Sequence, residues 1–161
     1  MDNVTISKLV KQDIIEASKL IQTLNDKMIK QRRDIFIPKD ENWEEYLESK
    51  MDNKDAVLLV ARNKTNIVGV CTAEIKHLGD GESTCIRDIL FIDYIAVDES
   101  YRRCKIGTKL LDEIKNMAKE KQISTVELNV WGFNTEAINF YEKNEMKQKR
   151  IVYEYLINKE N

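Results

Sequence analysis

Apolar residues recur along this chain with two periods. Ile14, Ala17, Ile21, Leu24 and Met28 return every three or four residues, the spacing that turns one stripe of a helix toward a core, and Asp13-Ile14-Ile15-Glu16 predicts a capping box at its start. Trp43, Tyr46, Leu47, Lys50 and Met51 predict a short second helix. Leu110, Leu111, Ile114, Met117 and Ala118 form the inward face of a third, whose other face is charged. Between them Ala56 to Arg62, Ile67 to Lys76 and Ile86 to Val97 are rich in β-branched residues and predict three strands. Asn63-Lys64-Thr65-Asn66 and Gly79-Asp80-Gly81-Glu82 separate them as hairpin loops. Val4 to Leu9 predicts a first strand, Ser124 to Trp131 another, Thr135 to Lys143 a helix, and Met146 to Ile157 two further strand segments around Lys149-Arg150. The order β-α-α-β-β-β-α-β-α-β-β predicts one mixed α/β domain over residues 1–161. Its middle strands pair antiparallel, and the strands near positions 95 and 128 pair in parallel through a right-handed crossover.

Charge narrows the partners. A net charge of -2 and a pI near 5.6 lack the basic field that nucleic acid or an anionic membrane surface calls for. No apolar run approaches membrane-spanning length and the first residues lack a secretory pattern, which predicts a cytoplasmic protein. Cys71, Cys85 and Cys104 are odd in number and without C-x-x-C spacing, so they read as reduced thiols, with no disulfide framework and no metal site.

The chemistry gathers between the third strand and the helix after it. The first amides of a helix lack intrahelical acceptors and carry partial positive charge, so a run of them can wrap a pyrophosphate. Gly107 lets the backbone come close, Thr108 adds a hydroxyl, and Arg102, Arg103 and Lys105 add cations. The same residues also suit a plain helix start with solvated basic side chains, and the loop alone leaves both readings open.

The segment Ile95-Ala96-Val97-Asp98-Glu99-Ser100-Tyr101-Arg102-Arg103-Cys104-Lys105-Ile106-Gly107-Thr108-Lys109-Leu110-Leu111 resembles motif A of the GNAT superfamily of N-acetyltransferases, Arg/Gln-x-x-Gly-x-Gly/Ala between a strand and a helix. Leu128-Asn129-Val130 followed by Asn134-Thr135-Glu136-Ala137-Ile138-Asn139-Phe140-Tyr141-Glu142-Lys143-Asn144 resembles its motif B. The resemblance implies a mostly antiparallel sheet of about seven strands, splayed at a V-shaped gap, with helices on both faces. It implies acetyl-coenzyme A as co-substrate, held by Arg102, Arg103, Cys104, Lys105, Ile106, Gly107 and Thr108 around the pyrophosphate. Backbone groups of Ile95, Ala96 and Val97 would hold the pantetheine arm. Asn134, an N-cap by its position, would also reach the cofactor, and Tyr141 would be the general acid that protonates the departing thiolate.

The implied reaction moves acetyl to a primary amine of a small molecule or of a peptide N-terminus or lysine; a silent coenzyme A-binding module of the same fold is the alternative. A homodimer is a further expectation of the resemblance. The base is left open among Asp93, Glu127 and a water chain, with Tyr94 near the acceptor cleft. Strand alternation would put Asp93, Ile95 and Val97 on one face and Tyr94 and Ala96 on the other. His77 reads as a surface residue without a partner. The cations Lys27, Lys30, Arg32 and Arg33 read as a solvated helix end or a border of the acceptor site. Two positions depart from the family pattern, which has glycine where this chain has Lys105 and Glu145. A loop tolerant of a side chain would gain a cation at Lys105; a loop needing a left-handed backbone would be strained there.

Overall fold

The predicted hairpins form the centre of a five-stranded sheet in the computed structural model, which describes residues 4–38 and 41–157. Strands β1 (Val4–Lys8), β2 (Ala56–Asn63), β3 (Asn66–Leu78), β4 (Arg87–Val97) and β5 (Val126–Leu128) lie side by side in sequence order. The first four pair antiparallel and β5 joins β4 in parallel. The described residues also form four α-helices: α1 (Ile14–Gln31), α2 (Trp43–Met51), α3 (Ile106–Glu120) and α4 (Thr135–Lys143). The chain divides into two compact units, Met1–Asn129 and Val130–Asn161.

Within the first unit both faces of the sheet are covered. Side chains of a strand alternate in direction, and neighbouring residues of β3 show where each helix sits. Val70 packs with Ile14, Ala17 and Ile21 of α1 and with Trp43 and Leu47 of α2. On the other face, a Cβ on Gly69 would meet Ile106 Cγ2 at 3.1 Å and Leu110 Cδ1 at 3.2 Å, so the absent side chain lets the first turn of α3 lie against the sheet. Ile106, Leu110, Leu111 and Ile114 are fully buried there, each contributing about 1.5–3 kcal/mol through burial.

Three expectations change. Asp13 and Glu16 do not form a capping box. Asp13 has a helical backbone (φ -87°, ψ -16°) and makes no side-chain cap. Its buried carboxylate accepts Arg62 Nη1 at 2.8 Å, Arg62 Nη2 at 2.5 Å and the Val10 N–H at 2.8 Å. Glu16 accepts the Ile67 N–H at 2.9 Å, so both carboxylates tie α1 to the sheet. The strand predicted over Ser124 to Trp131 shortens to Val126–Leu128. The segment from Met146 to Ile157 carries no strand, and the sheet of the described residues has five strands rather than about seven. Val152, Tyr153, Tyr155 and Ile157 are exposed there. β-Propensity records only that a side chain suits a pleated surface, while a strand requires a neighbouring backbone to bond with.

Candidate active site

The exit from β4 is fixed before the basic loop begins. Asp98 donates its N–H to Val68 O at 3.0 Å and accepts the Ser100 N–H on its side chain at 2.8 Å, closing a single 3-10 turn over Glu99–Tyr101. Arg102 is extended (φ -63°, ψ 157°), while Arg103 and Lys105 are left-handed, with φ 61° and φ 59°. Helix α3 starts at Ile106, and the Lys109 N–H makes the bond to Lys105 O at 3.0 Å. Amides ahead of Lys109 have no carbonyl one turn behind them within the helix. A left-handed residue followed by helical ones turns successive amides into one concavity, at the positive end of the helix dipole. Ile106 is buried, Gly107 and Thr108 are half-buried, and Arg102, Arg103 and Lys105 are exposed around them.

The backbone at Lys105 decides between the two readings of that position. It adopts the left-handed conformation that favours glycine, so lysine brings a cation and also a penalty of about 1–2 kcal/mol. Glu145 repeats the pattern at φ 66°. Glu99 adds a restraint. Its carboxylate pairs with Lys27 of α1 and lies 3.6 Å from Arg102 Nη2, and Lys27 holds it below the usual carboxylate range. Arg32 pairs instead with its neighbour Asp34.

Beside this loop, beyond Ile92, one edge of β4 has no strand partner among the described residues. The ladder to β5 covers Leu90, Ile92 and the residue between them, then stops, while β3 accompanies β4 as far as Val97. Leu90 donates its N–H to Thr125 O at 3.0 Å, so alternate amides of β4 turn to this side. The register then slips: Thr72 faces Tyr94 and Ala73 faces Ile92, leaving Asp93 as an extra residue. The slip shifts the alternation by one, which brings the backbone groups of Ile95 and Val97 to the open edge and turns those of Ala96 toward β3. A peptide-like arm can bond to such an edge as a further strand would.

The bulge also corrects the expected faces. Asp93 does not share a face with Ile95 and Val97; it joins Tyr94 and Ala96 on the side of α2. Asp93 Oδ2 lies 3.4 Å from Lys50 Nζ and 3.5 Å from the Tyr46 hydroxyl, which also meets Thr72 Oγ1 at 3.2 Å. Lys50 pairs in addition with Glu74, and Asn53 donates to Glu74 Oε1 at 2.9 Å. Burial opposes the charge of Lys50, yet Glu74 and Asp93 together raise its pKa, while Lys50 lowers that of Glu74. Trp43, Tyr46 and Tyr94 stand edge to face with ring centroids 5.2–5.7 Å apart. Burial pushes both tyrosine hydroxyls upward and so keeps them protonated. Burial likewise raises the Cys71 thiol, which removes it as a nucleophile.

The second unit carries the remaining two candidates. Asn134 caps α4, its side chain accepting the Ala137 N–H at 3.2 Å, and Tyr141 lies on the same helix with its ring 5.1 Å from that of Phe140. Trp131 and Phe133 stack with centroids 5.9 Å apart just before the cap. Glu127 lies on β5 opposite Phe91, and Cys104 is half-buried in the basic loop. His77 is exposed as expected, but it has a partner in Asp88 at 2.6 Å. Among the described residues, no group of three or more His, Cys, Asp or Glu side chains could hold a metal, and no helix is long and apolar enough to cross a membrane.

Sequence reasoning missed the network of Tyr46, Thr72, Glu74 and Lys50. Its one signal was Lys50 itself, a lysine written into an otherwise apolar helix stripe, which needs a partner when it is half-buried.

The family model described as Acetyltransferase (GNAT) family matches residues 18–146. A curated protein, the probable N-acetyltransferase camello of Xenopus tropicalis, is 29% identical over 103 residues; the match takes in 64% of this chain and 44% of that protein, so the chain spans less than half of its relative's length. Among solved structures, a mutant of the BH1408 protein from Bacillus halodurans superposes with a TM-score of 0.90 at 22% identity, covering 96% of this chain and 99% of that one. An aminoglycoside acetyltransferase from an uncultured soil metagenomic sample, in complex with trehalose, superposes with a TM-score of 0.72 at 21% identity, covering 97% of each chain. At these identities the two structures bear on the fold.

Proposed function

Because this chain belongs to the acetyltransferase (GNAT) family, we propose that it moves the acetyl group of acetyl-coenzyme A directly to a primary amine of a small molecule or peptide. The observation that carries the reading is the unpaired edge of β4 ending at a helix N-terminus. Pantetheine is built from amide units, so Ile95 and Val97 can bond it as they would a neighbouring strand. The amides of Ile106, Gly107 and Thr108, with Arg102, Arg103 and Lys105, suit a pyrophosphate. Ala96 contributes through its neighbours, since its own backbone groups serve β3.

In this reading a backbone donor at the open edge polarises the thioester carbonyl. The neutral amine attacks the carbonyl carbon, the C–N bond forms, the C–S bond breaks, and the amine proton leaves to solvent. Tyr141 gives its hydroxyl proton to the thiolate; a phenol with a pKa near 10 matches that leaving group and is protonated at neutral pH. Asn134 holds the start of the helix that carries Tyr141.

Isothermal titration with acetyl-coenzyme A tests the foundation, and absence of binding at high micromolar concentration would remove it. A thiol-release assay over polyamines, amino sugars, amino acids and peptide N-termini then separates an enzyme from a silent binding module, which would bind the cofactor and release no thiol. Tyr141→Phe should lower kcat by about 10²- to 10⁴-fold with acetyl-coenzyme A affinity unchanged. An unchanged kcat would reject Tyr141 as the acid.

A further inference from the structure

The basic loop has a carboxylate at its entrance that works against an anionic ligand. Glu99 lies three residues before Arg102, on the 3-10 turn that leads from β4 into the loop. An anion beside a pyrophosphate site repels the ligand, and a carboxylate beside a guanidinium competes with the ligand for the same N–H donors. The turn cannot swing Glu99 away. Asp98 holds its start on Val68 O, the Tyr101 N–H bonds Asp98 O at 3.0 Å, and the Tyr101 hydroxyl accepts Asn63 Nδ2 at 3.2 Å, which ties its end to the last residue of β2.

Lys27 answers that charge from another element. Its Nζ contacts Glu99 Oε1 directly, whereas Arg102 Nη2 stands 3.6 Å from the same oxygen, beyond hydrogen-bond length. Lys27 comes ahead of Arg102 among the causes that lower the Glu99 pKa. Two cations thus share one oxygen, and Lys27 has the closer contact. Lys27 lies 72 residues before Glu99, near the C-terminal end of α1, and α1 is fixed in the core through Ile14, Ala17 and Ile21. Without this ammonium the carboxylate has to close only about 0.8 Å to reach the charge-assisted distance of about 2.8 Å to Arg102. A guanidinium paired in that way gives Glu99 the donors and the charge that a pyrophosphate would otherwise take.

We propose that Lys27 is a positioning residue for the cofactor: by holding Glu99 it keeps that carboxylate from closing on Arg102, so that α1 contributes to acetyl-coenzyme A affinity through Glu99 and Arg102 rather than by contact. The inference rests on the acetyl-transfer reading, in which Arg102 meets the pyrophosphate.

Isothermal titration with acetyl-coenzyme A over a set of single and double variants tests it. The side chains of Lys27, Glu99 and Arg102 are 40%, 62% and 38% exposed, so Lys27→Met should weaken binding about 2- to 5-fold, the range for an exposed ion pair. Glu99→Gln breaks the same pair from the other side and should bind no more weakly than the parent. Lys27→Met should then have no effect when added to Glu99→Gln, or to Arg102→Gln, whose affinity is already reduced. Recovery in the Lys27→Met/Glu99→Gln variant also separates the effect from misfolding, which a second substitution at Glu99 would not repair. A pair that merely braced the loop against α1 would lose affinity equally from either side, and a general loss of positive charge would weaken binding by the same factor in every background. Either pattern overturns the proposal, as does Lys27→Met with the parent's affinity. Parent binding that is indifferent to Lys27 sinks this inference alone, whereas a parent that does not bind acetyl-coenzyme A sinks the acetyl-transfer reading with it.

Discussion

Replacing Lys105 by glycine and by alanine separates the two things that lysine does at the helix start. The residue stands at φ 59°, ψ 15°. A Cβ in this conformation costs about 1–2 kcal/mol, and alanine and lysine share that penalty. Glycine escapes it but loses more freedom on folding, roughly 0.5–1 kcal/mol. Lys105→Gly should therefore be more stable than Lys105→Ala by about 0.5–1 kcal/mol, a shift of about 1–4 °C in Tm for a domain of this size. At a right-handed position the sign would be opposite, with alanine ahead by a similar amount. Urea unfolding followed by far-UV circular dichroism measures the difference. Glycine at or below alanine would refute the left-handed assignment and with it the strain. Both substitutions remove the same cation, so titration with acetyl-coenzyme A should show a matched weakening in the two variants relative to the parent. A weakening confined to one of them would mean that the backbone, not the charge, makes the contact.

Other outcomes follow from the same geometry. Gly69→Val forces a branched side chain against Ile106, Leu110 and Ala61, all 3.1–3.2 Å from where its Cβ would stand, and should cost about 1–3 kcal/mol while weakening acetyl-coenzyme A binding; a variant of full stability and affinity would show that α3 does not depend on this close approach. The Lys50–Glu74 pair predicts a pH dependence. Lys50 holds the Glu74 pKa below its ordinary value, so the stabilisation is complete above the unfolded pKa near 4.3 and is lost as pH falls through the folded value. The stability gap between the parent and Glu74→Gln should be up to about 1 kcal/mol at pH 7 and close at acid pH; a gap that is the same at pH 7 and pH 3 contradicts the pairing. Gln122, left-handed at φ 58° where Ile123 N–H returns to Ala118 O at 2.8 Å, should also gain stability from glycine, read as a higher urea midpoint.

Local order was written in the sequence wherever one element could satisfy itself. The period of Ile14, Ala17 and Ile21 reports a helix face whatever it packs on, and Asn134 caps its helix through a bond three residues long. The hairpin loops and the basic helix start are similarly short in range, which is why the positions of β2, β3, β4 and α3 were legible. Asp13 and Glu16 had the spacing of a local cap but were drawn to Arg62 and Ile67, about fifty residues away, because a stronger charged partner and an unpaired strand amide were in reach.

The site depended on register, which no single strand carries. Alternation along β4 assigned Asp93 to the wrong face, because one extra residue opposite Thr72 and Ala73 reverses every direction after it. The same slip decides that Ile95 and Val97, rather than all three neighbours, present their backbone to the open edge. Lys105 belongs with them. Its identity as a cation at a helix start could be read in the chain, but its left-handed backbone (φ 59°) could not, since lysine rarely adopts that conformation and its residue type does not announce it. Residue types and their spacing thus marked the helices, the central hairpins and a basic helix start suited to an anion, but not the strands whose pairing partner is missing. Tertiary packing decided which edge is left without a strand partner and which face of the sheet Asp93 takes, because both follow from how separate strands align and not from any one of them.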